Sequence, residues 1–277
     1  MIKTIDNNDI NEILDFLYKQ DSKKYLFLIS DIEQFGLNNE NVKTYVIKNK
    51  DSYNAIFLKF YTNLVVFYDG KTQINKNEFY KLVKENNINN FIFCYEFYEF
   101  FFKFIDEFQI KQTLYTQQIA TLHQLDFEKN VNLNDLKAKE IELQDLEKVI
   151  EGRLKIKEFG GLSNQTTDIN YLKKSFNDGY YFGYIKYNNQ KNEIMSHAAI
   201  SAKNKKVAMI GGVYTVEEYR RQGHAQDCVI SLCNEIFRRK MTPILFFSNP
   251  NAASMYYKLG FKDYDKLYVS SVSMDEK

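Results

Sequence analysis

Residues 210–261 constrain the fold of this chain most, because strand and helix patterns alternate there around one loop of small residues. An apolar, β-branched run predicts a strand over 207–215, and residues 225–240 predict a long helix. The connecting loop carries Arg220, Gly223 and Ala225. Small residues let the backbone approach a ligand, and a helix that begins there directs free amides and its positive dipole end toward it. The sequence therefore predicts an anion site of the phosphate-binding kind.

A second pattern follows at once. A predicted strand over 244–248 leads into a predicted helix over 251–259, and Asn249, Ala252, Tyr256, Gly260 and Phe261 stand at fixed intervals along it. The loop fits Q/R-x-x-G-x-G/A, and the later residues fit N-x-x-A-x-x-x-Y-x-x-x-G-F. In this order the two patterns resemble the acyl-CoA-binding half of the GNAT superfamily of N-acetyltransferases. The resemblance extends from roughly residue 131 to the C-terminus, and its upstream part is matched more loosely.

The resemblance implies acetyl-CoA as co-substrate and assigns residues to its parts. Backbone groups of Val213, Tyr214 and Thr215 would pair with the pantetheine arm and the thioester oxygen. The diphosphate would lie on the loop formed by Arg220, Arg221, Gln222, Gly223, His224 and Ala225. Asn249 would either contact the cofactor or cap the following helix.

Two candidate catalytic residues emerge. Tyr256 matches the family's general acid, and a phenol suits protonation of a departing thiolate because the pKa values of the two groups are close. A glutamate that serves as base in some relatives is replaced here by Met209. His197 is a candidate base, although a lone strand histidine is more often structural, and a base made of water and backbone carbonyls is equally admissible. No metal site is expected.

The loop departs from the family pattern at two positions. Glu217 stands where proline is common, and Arg221 stands where glycine is common. Both positions lie in the loop, and neither change removes the predicted anion site.

Composition limits the classes of partner. The 277 residues carry 37 basic and 36 acidic side chains, a net charge of +1, so no broad field attracts nucleic acid or an anionic membrane. The first residues have no apolar core behind a basic start, so we expect no secretion signal, and charges interrupt the most apolar stretch, 91–105. The three cysteines are odd in number and lack metal-ligand spacing, which is typical of a protein in a reducing compartment. We expect a cytoplasmic protein with a small-molecule partner, as a monomer or homodimer.

The order of predicted elements occurs twice, as helix, helix, three strands, helix, strand, helix and strand. The first copy is predicted at 10–18, 25–35, 43–48, 55–61, 64–68, 76–85, 91–94, 96–108 and 111–122. The second is predicted at 145–155, 168–176, 180–187, 193–201, 205–215, 225–240, 244–248, 251–259 and 263–271, after an opening strand over 136–143. Such an order is also compatible with unrelated α+β domains.

The predicted fold class is therefore α/β (α+β), with two GNAT-like domains, each a mixed, mostly antiparallel sheet flanked by helices. Their predicted bounds are 1–130, a degenerate copy, and 131–277, the acyl-CoA-binding copy. In the first copy the loop begins with Asp69 and lacks the second small residue, so it should not hold a diphosphate.

These inferences predict an N-acetyltransferase that transfers an acetyl group from acetyl-CoA to a primary amine of a small or amino-acid-like acceptor. The run 213–220 is similar to the glycine N-acyltransferase branch. Alternatives are a non-catalytic acyl-CoA sensor, or an interaction protein that uses the aromatic first half.

Overall fold

The computed structural model describes residues 1–49, 52–134, 136–157, 168–248 and 250–273. The chain packs as two compact units, one of Met1–Ile119 with Tyr264–Lys277 and one of Ala120–Asp263. The predicted domains, 1–130 and 131–277, follow a different division. The predicted domain bounds stay a prediction. The compact units are defined by packing, whereas a domain is defined by its ability to fold independently.

The helices and strands follow the predicted order. In the first half they are β1 (Lys3–Thr4), α1 (Ile10–Lys19), α2 (Leu26–Phe35), β2 (Val42–Asn49), β3 (Ser52–Phe60), β4 (Asn63–Tyr68), α3 (Lys76–Glu85), β5 (Asn90–Phe93), α4 (Tyr95–Glu107) and β6 (Lys111–Thr121). In the second half they are α5 (Gln124–Asn130), β7 (Lys139–Glu140), α6 (Leu146–Leu154), α7 (Ile169–Asn177), β8 (Gly183–Asn188), β9 (Glu193–Lys203), β10 (Val207–Thr215), α8 (His224–Arg238), β11 (Thr242–Phe247), α9 (Pro250–Lys258) and β12 (Lys262–Ser273). The predicted double occurrence of the element order is confirmed.

The sheet of the first unit has the order β1-β2-β3-β4-β5-β12-β6. β2, β3 and β4 pair antiparallel, β4 and β5 pair parallel, and β12 pairs antiparallel with β5 from Tyr268–Phe93 to Ser271–Asn90. The sequence predicted β12 as a strand but assigned it to the second copy. The alternation of residues along β12 predicts which of its side chains face the core. It does not predict which strand lies beside β12 in the sheet.

Phenylalanine fills one face of this sheet. Phe79 of α3 lies 4.9 Å from the ring of Phe104 and 5.8 Å from that of Phe97, both on α4. These helices cover Phe91 and Phe93 of β5, and all five rings are at most 1% exposed. The aromatic run in the first half is thus explained by core packing, since each ring buries a large apolar area.

The Asp69 side chain binds backbone groups of its own loop, which follows β4. Its carboxylate accepts hydrogen bonds from the backbone amides of Lys71 and Thr72, from the Thr72 hydroxyl and from Asn54 Nδ2, at 2.8 to 2.9 Å. Burial raises the pKa of Asp69, but the hydrogen bonds from Thr72, Asn54 and Lys71 outweigh it, so the pKa lies below its ordinary value. The amides of this loop are therefore already paired with a carboxylate, in line with the expectation that it does not hold a diphosphate.

We expect Asp69→Ala to lower the free energy of unfolding by about 2 kcal/mol, because four donors lose a charged acceptor. Urea denaturation at pH 7 measures the change. Asp69→Asn, which keeps an acceptor oxygen, is the matched control and should lose less. Equal losses in the two variants would contradict the role given to the charge.

The second unit has the strand order β11-β10-β9-β8-β7. β10 and β11 pair parallel, whereas the remaining neighbours pair antiparallel. One apolar cluster joins α8 to β9, β10 and β11, and a second joins α6 and α7 to β8 and β9. Both faces of the sheet are therefore covered by helices.

Two parts of the second unit differ from the sequence prediction. The opening strand, predicted over 136–143, is limited to the two residues of β7. Residues 126–135 were predicted as a polar boundary, but α5 extends into them and buries Phe127 to 2% exposure. One apolar side chain among polar neighbours is too weak a periodic signal to indicate a helix.

In the described residues, no helix is long and apolar enough to cross a bilayer. Cys94, Cys228 and Cys233 are free and buried.

Candidate active site

The site is built where β10 and β11 run parallel. Their paired register extends from Val207–Thr242 to Ile210–Leu245, and β10 continues to Thr215. Each strand is followed by a helix, α8 after β10 and α9 after β11. In open α/β sheets the carboxyl ends of such strands are where ligands bind, since helix N-termini converge there.

Two glycines shape β10 at this point. The register with β9 shifts between Gly211 and Tyr214, which marks a β-bulge. A Cβ on Gly211 would lie 1.8 Å from Ser201 Oγ, and one on Gly212 would lie 2.6 Å from Arg153 Nη2. Gly212 also has a φ of +57°. Side chains are therefore excluded at both positions, and the irregular backbone is fixed by its neighbours.

His197 holds the carbonyl of this bulge. Its Nδ1 lies 2.7 Å from the Gly212 carbonyl oxygen, and its Nε2 lies 2.7 Å from the Tyr181 hydroxyl. A carbonyl can only accept, so Nδ1 carries the proton and Nε2 accepts from Tyr181. The ring is fully buried and stacks on Tyr214 at 5.1 Å.

The electrostatic surroundings keep the imidazole neutral. Burial, assisted by the charge of Arg153, lowers the pKa of His197 to about 3. Both ring nitrogens are engaged in hydrogen bonds with protein groups, so no lone pair faces a substrate. The geometry favours the structural alternative over the predicted general base.

The predicted pantetheine-binding strand segment is present at the end of β10. Tyr214 is 4% exposed and its hydroxyl donates to the Val149 carbonyl of α6 at 3.1 Å, so its side chain belongs to the core. Val213 and Thr215 are half-buried. Ser196 Oγ binds the Tyr214 carbonyl at 2.7 Å and lies 2.9 Å from Thr215 Oγ1. Any role of Tyr214 toward a ligand would therefore use its backbone.

The predicted anion loop is exposed and leads directly into α8. Arg220, Arg221, Gln222 and Gly223 are exposed, and His224 and Ala225 are half-buried. Arg220 Nε donates to the Thr215 carbonyl at 3.1 Å, which joins the loop to the end of β10.

Backbone conformation explains two of the loop residues. Gly223 caps α8 with a φ of +80°, and a Cβ there would meet nothing within 4 Å. Arg221 has a φ of +63°, a left-handed conformation that costs a non-glycine residue about 1 kcal/mol. This explains why glycine is common at the second position of the loop pattern. The open space, the exposed helix start and two left-handed residues fit an anion, since such backbone arrangements form anion-binding concavities.

Tyr256 and its neighbour Tyr257 differ in burial, although both rings contact Phe247. Tyr256 is 7% exposed and its ring lies 5.7 Å from Phe247 and 5.9 Å from Phe261. Tyr257 is 44% exposed and donates to Asp263 at 2.6 Å. Among the described residues, no group hydrogen-bonds to the Tyr256 hydroxyl. Burial, together with nearby Cys233, raises the pKa of Tyr256 to about 12, so the phenol keeps its proton at neutral pH.

Asn249 lies outside the described residues, so its two predicted roles stay a prediction. No cluster of three or more His, Cys, Asp or Glu suited to a metal is found in the part of the chain that the structure describes.

Several residues at the site have no motif in the sequence. They are Tyr181, which bonds to His197; Arg153, which lies against Gly212; and Ser196, which bonds to the end of β10. Each comes from an element distant in the chain, so only the pairing of β8, β9 and β10 and the packing of α6 bring them together.

Comparison of the sequence with known proteins gives one family match, which includes the end of β10 and the loop that precedes α8. Residues 190–270 match the sequence profile of a family described as FR47-like protein. A search of curated proteins finds no match to the sequence.

Solved structures of similar fold cover nearly the whole chain. A Drosophila protein has a TM-score of 0.70 at 11% identity, with 99% of each chain covered. A tandem GNAT protein from the clavulanic acid biosynthesis pathway has a TM-score of 0.65 at 9% identity, covering 100% of this chain and 99% of its own. A GNAT-family acetyltransferase from Colwellia psychrerythraea has a TM-score of 0.60 at 15% identity, covering 98% and 99%. The chain therefore has the GNAT fold in a tandem arrangement, which confirms the predicted fold class.

Proposed function

We propose that this protein is an acetyl-CoA-dependent N-acetyltransferase whose acceptor is a primary amine of a small or amino-acid-like molecule. The observation that carries the proposal is the exposed start of α8 at Gly223, next to the end of β10, within a GNAT fold. That fold supports acyl transfer in general. The nearly balanced charge of the chain favours a small-molecule partner over nucleic acid or a membrane.

Acetyl-CoA would supply an activated thioester. Its diphosphate fits the loop of residues 220–225, where exposed amides, the helix dipole and two arginines favour negative charge. Arg221 is held in a strained conformation that an anion would stabilise.

The end of β10 is suited to the pantetheine arm. The strand continues past its last paired position with β11, Ile210–Leu245, as far as Thr215. Backbone groups of Val213, Tyr214 and Thr215 would bind the amides of the arm, and one amide would donate to the thioester oxygen. Preorganised donors of this kind stabilise the oxyanion that forms when the amine attacks. The glycine bulge, locked by His197, fixes their positions.

Tyr256 is suited to protonate the thiolate that leaves. Burial raises the pKa of this group to about 12, so the proton stays on the hydroxyl at neutral pH, but the shift also makes the phenol a weaker acid than a free tyrosine. No described residue competes for the hydroxyl, and its ring is held by Phe247 and Phe261.

In this proposal the base is ordered water that backbone carbonyls hold by hydrogen bonds. Met209 is apolar and 7% exposed, and both nitrogens of His197 are hydrogen-bonded. The same observations favour a second candidate function, an acyl-CoA sensor that binds without turnover. Steady release of free thiol from acetyl-CoA in the presence of a panel of primary amines distinguishes an enzyme from a sensor.

Binding of coenzyme A tests the anion loop. We expect saturating coenzyme A to raise the melting temperature, since about 100 times Kd adds about 2.7 kcal/mol to the free energy of unfolding. Gly223→Ala should weaken binding at least about 10-fold, because its Cβ enters the space for the diphosphate and its φ of +80° becomes strained. Isothermal titration calorimetry measures Kd.

Gly179→Ala is the matched control. Gly179 has a φ of +72° and, like Gly223, nothing within 4 Å of a built Cβ, so both variants acquire similar strain. Only Gly223→Ala should change Kd. If the wild-type protein shows no affinity for coenzyme A, the proposed function is wrong. Equal Kd values for the two variants would show that the diphosphate does not bind at this loop.

A further inference from the structure

A charged pair lies at the first turn of α8, the helix that follows the proposed diphosphate loop. Lys186 Nζ of β8 donates to Asp227 Oδ2, in the first turn of α8, at 2.6 Å. The Lys186 side chain is 11% exposed and that of Asp227 is 24% exposed. The pair is therefore shielded from water far more than a surface ion pair, and each charge acts at short range with weak screening.

The two charges lie close to the start of the helix. The Asp227 amide donates to the Gly223 carbonyl at 3.1 Å, which places Asp227 one turn from the residue that caps α8. Both charges act on His224, the first residue of the helix: burial and then Lys186 lower the pKa of its imidazole, and Asp227 opposes them. A ligand phosphate at Gly223 would lie in the same field.

A carboxylate in this position has opposing effects. In the free protein it interacts favourably with the positive end of the helix dipole. Toward an anionic ligand it is repulsive, because it lies within the first turn that would bind the phosphates. Lys186, supplied by a neighbouring strand, offsets that repulsion.

We infer that Lys186 and Asp227 form an internal charge pair that sets the affinity of the loop for the coenzyme A diphosphate, with Lys186 strengthening and Asp227 weakening it. The inference rests on the proposed function and adds two affinity-determining residues that contribute through their charge. A pair that only fastened α8 to β8 would affect the fold when either member was removed, and both removals would then weaken binding.

The test measures Kd for coenzyme A by calorimetry at low ionic strength. Lys186→Met should raise Kd about 5- to 10-fold, because Asp227 is left unopposed beside the phosphates. Asp227→Asn should lower Kd about 3-fold, because the positive charge of Lys186 remains. The double variant Lys186→Met, Asp227→Leu removes both charges and should return to within about twofold of wild type. Raising the salt concentration to about 0.5 M should weaken binding of coenzyme A to all four proteins but should keep their order, because the Lys186–Asp227 pair is shielded from the solvent.

Melting temperatures of the free proteins show that each variant is folded before it is titrated. Opposite changes in Kd for the two single variants support the inference. Weakening in both, or an unchanged Kd in both, overturns it while leaving the proposed function intact. Absence of coenzyme A binding to the wild-type protein overturns both.

Discussion

Tyr256→Phe is expected to lower kcat for acyl transfer about 100- to 1,000-fold while leaving Kd for coenzyme A within about twofold. The substitution removes only the hydroxyl, so the ring keeps its packing against Phe247 and Phe261. The departing thiolate would then lack a positioned proton donor. Release of free thiol, followed with a chromogenic disulfide, measures kcat, and calorimetry measures Kd.

The neighbouring tyrosine provides the control for this prediction. Tyr257 is on the same helix, is 44% exposed and donates to Asp263. Tyr257→Phe should change kcat less than about twofold, because its hydroxyl is already bound to Asp263 and its side chain is exposed. Full activity of Tyr256→Phe would show that Tyr256 serves packing alone, and equal losses in the two variants would show that the effect is not specific to the Tyr256 hydroxyl.

The sequence predicts the local parts of this site well, because they depend on residues adjacent in the chain. The loop at Gly223 and the start of α8 follow from small residues between a strand and a helix pattern. The spacing to Phe261 selects Tyr256, and the structure buries this tyrosine to 7% exposure. The helix predicted over 25–35 ends at Phe35, and the following Gly36 caps it with a φ of +78°.

The parts that sequence reasoning did not predict depend on contacts between distant residues. His197 was a candidate base, yet its environment is set by Tyr181 on one side and Gly212 on the other. β12 pairs with β5, and the paired residues Tyr268 and Phe93 are 175 positions apart in the chain. The residue pattern of neither strand indicates this partner. The pair of Lys186 and Asp227 is likewise a product of packing between β8 and α8.

Buried His197 should make the protein sensitive to acid. Its pKa is about 3 in the folded protein and near the ordinary value of 6.5 when unfolded, so the unfolded chain takes up a proton first as pH falls. The stability that the neutral ring contributes is complete above pH 6.5 and is lost toward pH 3. We expect a slope of about 1.4 kcal/mol per pH unit from this residue, measured by urea denaturation between pH 7 and pH 4.

His197→Asn isolates that contribution. Its amide keeps a donor for the Gly212 carbonyl but does not titrate, so the variant should be about 2 kcal/mol less stable than wild type at pH 7, should match it near about pH 5, and should be the more stable of the two at lower pH. His123→Asn alters an exposed histidine and should leave the slope unchanged. Parallel pH profiles for wild type and His197→Asn would mean that the imidazole accepts a proton in the folded protein. In that case the ring would be available as a base, and the role of His197 in the reaction would have to be reassigned.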